Sequence, residues 1–466
     1  MSILGKNKQS RKGLNIIIVG CGKVGSTLVE QLSREGHAIT IIDRNPKKVQ
    51  ELAGLYDVMG LAGNGASYSV QMEAGIEDAD LLIAVTASDE LNLLCCTVAK
   101  QAGDCAAIAR VRTPDYSKEA PYLREKLGLA MIINPELEAA REAAGLISLP
   151  TALEVNSFAH GHAELIQFKI PENNILSGMS IVSMSQQSPV NVLICAVERG
   201  GQVHIPSGDF VLESGDIISF AAPREAIRSF LQHINMKTNH ARSTLIIGGG
   251  RSSYYLANLL LQMGVTVKII EQNYERCEEL STLLPKATII HGDGTDADLL
   301  QEEGLETVES IVPLTGIDEE NIMLTLYARQ VSGAKIITKI NRPTFKDVIS
   351  TLDLGSVIYP RLITCEAIVA YVRAKANSMD SNNVETLYHM FDSRAEALEF
   401  RIKQASEVTN IPLMELSLKK DLLIACINRG GTIIIPGGQD CIRVGDTVMV
   451  VTTHTGFHDI EDILNS

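Results

Sequence analysis

Three glycines, at positions 20, 22 and 25, interrupt "IIIVGCGKVGSTL" directly after an apolar run. That G-x-G-x-x-G spacing suits a diphosphate cradle: Gly20 permits a tight turn, Gly22 lets a phosphate approach the backbone, and Gly25 lets helix and strand pack closely. Lys23 and Val24 stand before the third glycine, where a helical pattern opens and presents unpaired N–H groups with a partial positive charge. Asp43 closes the next apolar run, "ITIIDR", where a carboxylate can accept hydrogen bonds from ribose hydroxyls. The same charge repels a 2′-phosphate, so NAD(H) or an adenine nucleotide is favoured over NADP(H); Arg44 beside it weakens that exclusion slightly. Asn64 and Gly65 follow the third apolar run, Thr86 follows the fourth with Ser88 and Asp89 close by, and Arg110 ends the fifth. In an open parallel sheet these strand ends all face one crevice. Arg110 is the natural partner there for a terminal phosphate or carboxylate.

Other chemistry is poorly supported. Tyr122–Lys126 and Tyr371–Lys375 have the Y-x-x-x-K spacing of a dehydrogenase proton relay, but the two do not correspond within the chain's repeat. An i,i+4 Tyr–Lys pair is also commonplace on a helix. His454 and His458, or His160 and His162, lack carboxylates or cysteines at ligand spacing, so no metal is expected. Asp209, Glu213 and Asp216 in "SGDFVLESGD" read as acidic hairpin turns. There is no G-x-S-x-G, H-E-x-x-H or G-K-[ST] motif.

The elements that must position these residues are written twice. At an offset near 229, "ITIIDRNPKKVQEL" meets "VKIIEQNYERCEEL", "LIAVTASDELN" meets "SIVPLTGIDEEN", and "CAVERGGQVHIPSGDFVLESGDIISF" meets "CINRGGTIIIPGGQDCIRVGDTVMVV". The first part of each half alternates short apolar runs with helical patterns, with strands expected at 15–19, 39–43, 57–61, 80–85 and 106–111. That alternation implies a doubly wound parallel sheet. Helical stretches follow, Glu136 to Gly145 and Thr364 to Lys375. The close turn signals "RGG", "PSGD" and "PGGQD" then imply small α+β units with antiparallel hairpins. The expected divisions are a disordered basic tail at 1–13, a Rossmann-like domain at 14–135, a crossover helix and linker at 136–150, and an α+β domain at 151–235. A linker at 236–242 leads to a second Rossmann-like domain at 243–363, a crossover helix and linker at 364–384, and a second α+β domain at 385–466. The fold class is α/β throughout.

The second glycine loop is altered. Gly248, Gly249 and Gly250 open it, but Ser253 stands where Gly25 does, and its side chain should push the helix outward. Glu271 replaces Asp43, Lys339 replaces Arg110, Thr315 matches Thr86, and Asp293 stands where Asn64 does and would repel a phosphate. Whether this loop holds a weaker nucleotide, a different ligand or none stays open.

Composition excludes several classes. The chain has 466 residues, 45% hydrophobic and 21% charged, enough for several buried cores. A net charge of −15 repels a nucleic-acid backbone, and 4% aromatic content without Trp disfavours stacking platforms. Nine cysteines without CxxC spacing suggest buried thiols in a reducing cytosol. No run approaches the length of a membrane span, and the basic start has no apolar core behind it. The expectation is a cytoplasmic protein able to sit beneath a membrane without inserting into it.

Taken in order and duplicated, "IIIVGCGKVGSTLVEQL" with Asp43, "GNGAS", "VTASDELN", "ARVRTPDY" and "KINRPTF" resemble the TrkA-type subunits of bacterial potassium uptake, built from RCK (KTN) domains, over about residues 14–466. The resemblance implies a regulatory ring rather than an enzyme: a homotetramer on the inner face of the membrane, binding NAD(H), ATP or ADP and gating a TrkH/TrkG-like potassium transporter subunit. Ligand-binding roles carry over to Gly20, Gly22, Gly25, Asp43, Asn64, Thr86 and Arg110. In the second half they carry over to Gly248, Gly250, Glu271, Thr315 and Lys339, with Ser253 a departure. A regulator of another transporter, or an NAD-dependent oxidoreductase, are the rival readings.

Overall fold

A computed structural model of the chain describes residues 13–342, 346–352, 354–376 and 384–465, apart from the side chains of His160, Lys346, Asp347 and Ser350. Almost all of the basic tail, the "PTF" of "KINRPTF" and residues 377–383 of the expected crossover helix and linker lie outside the described residues.

The first half opens with β1 (Asn15–Val19), α1 (Lys23–Arg34), β2 (Ala38–Asp43), α2 (Pro46–Tyr56), β3 (Met59–Ala62) and α3 (Tyr68–Glu73). It continues with β4 (Leu81–Ala84), α4 (Asp89–Ala102), β5 (Ala106–Arg110), α5 (Pro114–Lys118), α6 (Ala120–Lys126), β6 (Met131–Ile133) and α7 (Pro135–Ser148). The strands form one sheet in the order β3-β2-β1-β4-β5-β6, parallel throughout. This is the doubly wound order, with its switch point between β1 and β4. β1 and β4 are buried over nearly their whole length, as apolar runs covered by helices on both faces must be. The expected strands match β1, β2, β4 and β5 within a residue, while residues 57–58 precede β3. The short sixth strand was not foreseen.

Next come β7 (Glu154–Phe158), β8 (Ala163–Lys169), α8 (Ile181–Gln187), β9 (Leu193–Arg199), β10 (Gln202–His204), β11 (Ile217–Pro223) and α9 (Arg224–His233). These strands form a sheet ordered β10-β9-β11-β8-β7 with antiparallel pairing. Gly200 and Gly201, at φ +57° and +81°, make the tight β9–β10 turn that "RGG" implied.

The second half repeats the pattern with β12 (Ser243–Ile247), α10 (Arg251–Gln262), β13 (Thr266–Glu271), α11 (Tyr274–Leu283), β14 (Thr288–His291), α12 (Ala297–Glu302), β15 (Ser310–Pro313) and α13 (Asp318–Val331). β16 (Lys335–Lys339), α14 (Lys346–Thr351), β17 (Ser356–Ile358) and α15 (Pro360–Ala376) follow. The sheet order β14-β13-β12-β15-β16-β17 reproduces that of the first half. β18 (Val384–Met390), β19 (Ala395–Arg401), β20 (Leu422–Arg429), β21 (Thr432–Ile434) and β22 (Thr447–Thr452) then form a sheet ordered β18-β19-β22-β20-β21. That is the order of the earlier antiparallel sheet, element for element.

The chain divides into two compact units: the described parts of Met1–Asn134 with Ala367–Val384, and Pro135–Glu366 with Glu385–Ser466. In the first, the end of α15 is tied to the end of α1 through Arg373, which pairs with Glu35. In the second, the alanine-rich face of α7 (Ala139, Ala140, Ala143, Ala144) shares a core with Tyr254, Leu256 and Leu260 of α10. Small residues there let the helices approach closely. The two antiparallel sheets share another core through Phe158, Leu165, Cys195, Met390, Ala397 and Met449. The 236–242 segment is held in place rather than loose: Ala241 is buried and its N–H donates to Ile147 O.

Candidate functional site

The first glycine loop uses its three glycines for different reasons. Gly20 has φ +108°, and a Cβ there would sit 3.0 Å from Thr86 N, so both conformation and space exclude a side chain. A Cβ on Gly25 would lie 1.9 Å from Gly20 O, so α1 packs directly on the turn. Gly22 is neither twisted nor crowded. Its φ is −78°, and a Cβ would meet nothing within 4 Å. Among the chain's own atoms nothing requires a glycine there, and the open space lies at the head of α1. That helix start has no side-chain cap and no acidic residue in its first turn. Exposed Lys23 and buried Val24 form its first two positions. By contrast α2 is capped by Asn45 and α4 by Ser88. A helix start left open in this way presents N–H groups and a partial positive charge that suit an anion.

The other expected residues converge on this loop along the switch-point edge. Asp43 accepts Cys21 N–H at 2.7 Å through Oδ2 and Asn45 N–H at 2.8 Å through Oδ1, so it braces the loop and orients its own free lone pairs. Burial, reinforced by Asp43, raises the Cys21 thiol to about 12, leaving it protonated. Arg44 donates to Asn64 Oδ1 at 3.2 Å, joining the ends of β2 and β3. Gly65 is buried, and a Cβ would come 2.2 Å from Val19 Cγ1. The Thr86 hydroxyl is engaged within its own loop, donating to Asn92 Oδ1 at 2.7 Å with Ser88 N–H and O close by. Thr86 therefore shapes the site by its backbone position. Arg110 closes the edge at the end of β5, where its carbonyl accepts from Asn92 Nδ2 at 2.9 Å.

Asn92 is a residue that reading the sequence did not single out, and Asp89 gains a defined role. Asp89 accepts Arg112 N–H, Thr113 N–H and the Thr113 hydroxyl at 2.7 to 2.8 Å, and Arg112 Nε at 3.2 Å. Burial would raise its pKa, but these bonds outweigh it and hold the carboxyl below the usual range. The signal was the shared D-x-x-N of "SDELN" and "IDEEN".

The second loop keeps the frame and alters the contents. Gly248 is again left-handed at φ +98°, and Gly250, at the head of α10, again faces open space. Glu271 does for Gly249 and Asn273 what Asp43 does for Cys21 and Asn45, at 2.6 and 2.7 Å. Ser253 is fully buried and its hydroxyl donates to Gly248 O, so the added side chain is absorbed by a hydrogen bond to the turn. Arg276 donates to Gly249 O at 2.7 Å, placing against this loop a guanidinium that the spacing of motifs did not reveal. Thr315 repeats the bonds of Thr86, now with Asn321. Lys339 turns its ammonium back to Leu314 O at 3.0 Å. Asp293 is exposed, and the bonds it accepts from Thr295 lower its pKa, so its charge persists where a phosphate would approach.

The remaining candidates are engaged elsewhere. Asp216 and Glu213 pair with Arg199 at 2.7 and 2.8 Å, and Asp209 accepts from Ser207. His454 contacts Lys420 O. Tyr122 is exposed on α6, and Tyr371 is partly buried on α15. No helix among the described residues is long and apolar enough to cross a membrane.

The TrkA-N domain family matches residues 16–135 and again 244–360, and the TrkA-C domain family matches 165–235. The Trk system potassium uptake protein TrkA of Halomonas elongata is 32% identical over 440 residues, covering 94% of this chain and 95% of that protein. Among solved structures, the GsuK channel superposes with a TM-score of 0.64 at 17% identity, over 96% of this chain and 78% of that one. The same channel bound to NAD gives 0.63 over the same shares, also at 17% identity. At that identity the likeness is one of fold.

Proposed function

This chain belongs to the TrkA family, and from that premise we propose that it is the nucleotide-sensing regulatory subunit of a Trk-type potassium uptake system. NAD(H), ATP or ADP at the first glycine loop favours one conformation of an oligomeric ring, a homotetramer, which opens or closes a TrkH/TrkG-like transporter from its cytoplasmic face. The carrying observation is Gly22: open space without a Cβ, at the uncapped head of α1, beside an Asp43 already braced for a ribose. The solved GsuK channel bound to NAD, alike in fold, supports the choice of ligand.

The ligand residues in this reading are Gly20, Gly22, Lys23, Val24, Gly25, Asp43, Arg44, Asn64, Gly65, Thr86 and Arg110. Gly248, Gly250, Glu271, Asp293, Thr315 and Lys339 form a second, altered site. The domain boundaries fall near 135, 150, 235, 242, 363 and 384. The protein acts as a switch and not as an enzyme, a reading supported by the way the strand-end polar groups engage one another at the first loop: Thr86 with Asn92, Arg44 with Asn64, Asp43 with the loop backbone.

A ligand gates only by binding one conformation better than another. A tenfold preference supplies about 1.4 kcal/mol, and four equivalent sites about 5.5 kcal/mol, enough to take a ring from mostly closed to mostly open. Thermal unfolding with NADH, NAD, ATP and ADP tests the reading, because a ligand of the native state raises its stability by mass action. A flat response to all four would sink it.

A further inference from the structure

We infer that Asn92 is a positioning residue for the distal end of the bound nucleotide, acting through Thr86 and Arg110; this rests on the nucleotide reading of the first loop. Asn92 is fully buried in the first turn of α4. Its Oδ1 accepts Thr86 N–H at 2.8 Å and the Thr86 hydroxyl at 2.7 Å, and its Nδ2 donates to Arg110 O at 2.9 Å and, more loosely, to Thr86 O at 3.4 Å. One amide thus ties together the ends of β4 and β5 and the head of α4. Only an amide meets all four demands, with an acceptor on one side and two donors on the other. A carboxylate would set a charged acceptor against two carbonyls.

The second half keeps the same device. Asn321, also fully buried, accepts Thr315 N–H and hydroxyl at 3.0 and 2.9 Å and donates to Lys339 O at 3.0 Å and Thr315 O at 3.3 Å. The clip has outlasted changes around it: Gly25 has become Ser253, and Arg110 has become Lys339. In both halves the residue whose carbonyl it holds is a strand-end cation: Arg110 in the first, suited to a terminal phosphate, and Lys339 in the second, whose ammonium turns back to Leu314 O. In this reading the glycine loop cradles the phosphates nearest the nucleoside and Arg110 faces the group beyond them, so the two ends of the ligand depend on different parts of the site.

The test compares ATP with AMP, which has only the phosphate next to the ribose, by calorimetric titration of the full chain. Asn92→Ala should weaken ATP by about tenfold, the scale of one lost charge-assisted hydrogen bond, and leave AMP within about twofold. Asn321→Ala should leave the ATP-to-AMP ratio at the first loop unchanged. Should Asn92→Ala fold poorly, Asn92→Asp keeps both bonds from Thr86, loses the donation to Arg110 O, and should lower the same ratio. Equal weakening of both ligands, or no change in either, would make Asn92 a structural clip only and overturn the inference. Failure of the unaltered chain to bind ATP and AMP would overturn the inference alone, and failure to bind ADP, NAD and NADH as well would overturn the nucleotide reading beneath it.

Discussion

Arg373 and Glu35, 338 residues apart in sequence, form a partly buried ion pair, with Arg373 Nη2 and Nε 2.8 and 3.1 Å from Glu35 Oε1. Arg373 is 3% exposed. Glu35 terminates α1, the helix whose other end carries the glycine loop, so the pair anchors the far end of that helix to the end of α15. His37, also buried, stands 3.8 Å from the same carboxylate. The position matching Arg373 in the first crossover helix is Ser148, whose hydroxyl donates to Ala144 O of its own helix. There α7 relies on apolar packing instead.

Removing one partner of that pair takes a charge-assisted bond from a partly buried setting, at a cost of about 1.5–3 kcal/mol. Arg373→Met alone should therefore destabilise the first unit strongly, while Arg373→Met with Glu35→Leu should recover most of the loss. Hydrogen exchange in β1 during native-state urea titration reads this locally, because the two units need not unfold together. Equal losses from the single and double variants would mean the pair contributes through packing alone.

The three glycines of the first loop should separate binding from stability. Gly22→Ala meets no atom within 4 Å at an ordinary φ, so stability should hold or rise by about 0.4–1 kcal/mol while nucleotide affinity collapses. Gly25→Ala forces a Cβ onto Gly20 O and should cost about 1–3 kcal/mol whether or not ligand is present. Unfolding curves with and without NADH distinguish the two; an unimpaired Gly22→Ala would remove the main reason for placing a phosphate there.

Asp43→Ala should do more than abolish ribose recognition. Because the carboxylate accepts Cys21 and Asn45 N–H groups, its loss should also cost about 1–3 kcal/mol of stability in the absence of ligand. Asp43→Glu is the sharper variant. Glu271 makes the equivalent pair of bonds in the second half, so the longer acid should keep the loop intact and change only nucleotide affinity. Melting temperature and titration, measured side by side, check both statements.

Stability should depend on His389 above neutral pH. Its Nδ1 lies 3.0 Å from Glu366 and its Nε2 3.5 Å from Glu396. Burial opposes the imidazolium, but the bonds to Glu366 and Glu396 outweigh it and raise the pKa from 6.5 to about 9. A folded-state pKa above the unfolded value stabilises fully below about 6.5, and that contribution is lost as pH climbs through about 9. The rise is equivalent to about 3 kcal/mol. Lys335 runs the other way: burial lowers it from 10.5 to about 8, so its unfavourable contribution is relieved between those values. Wild type minus His389→Gln isolates the histidine. A difference that does not shrink between pH 6.5 and 9.5 would show that the imidazole is not ionised.

Much of the architecture was legible because its causes are local. β1 and β4 must be apolar to lie inside a covered sheet, Gly20 must be glycine to adopt φ +108°, and "RGG" must turn tightly between short strands. The duplication was legible for the same reason, since each copy repeats its own local demands. The sixth strands were missed because β6 and β17 have three residues each, too few for a period to register.

The sequence by itself determined the element order, the repeat, the glycine loop and the acids that follow it. Tertiary structure decided which of those groups are engaged and by what: Thr86 by Asn92, Arg110 O by the same amide 18 residues away, Gly249 by Arg276, and Glu35 by Arg373. Backbone conformation and burial period follow from neighbours in the chain, whereas a buried hydrogen bond or ion pair exists only once folding has brought distant partners within about 3 Å.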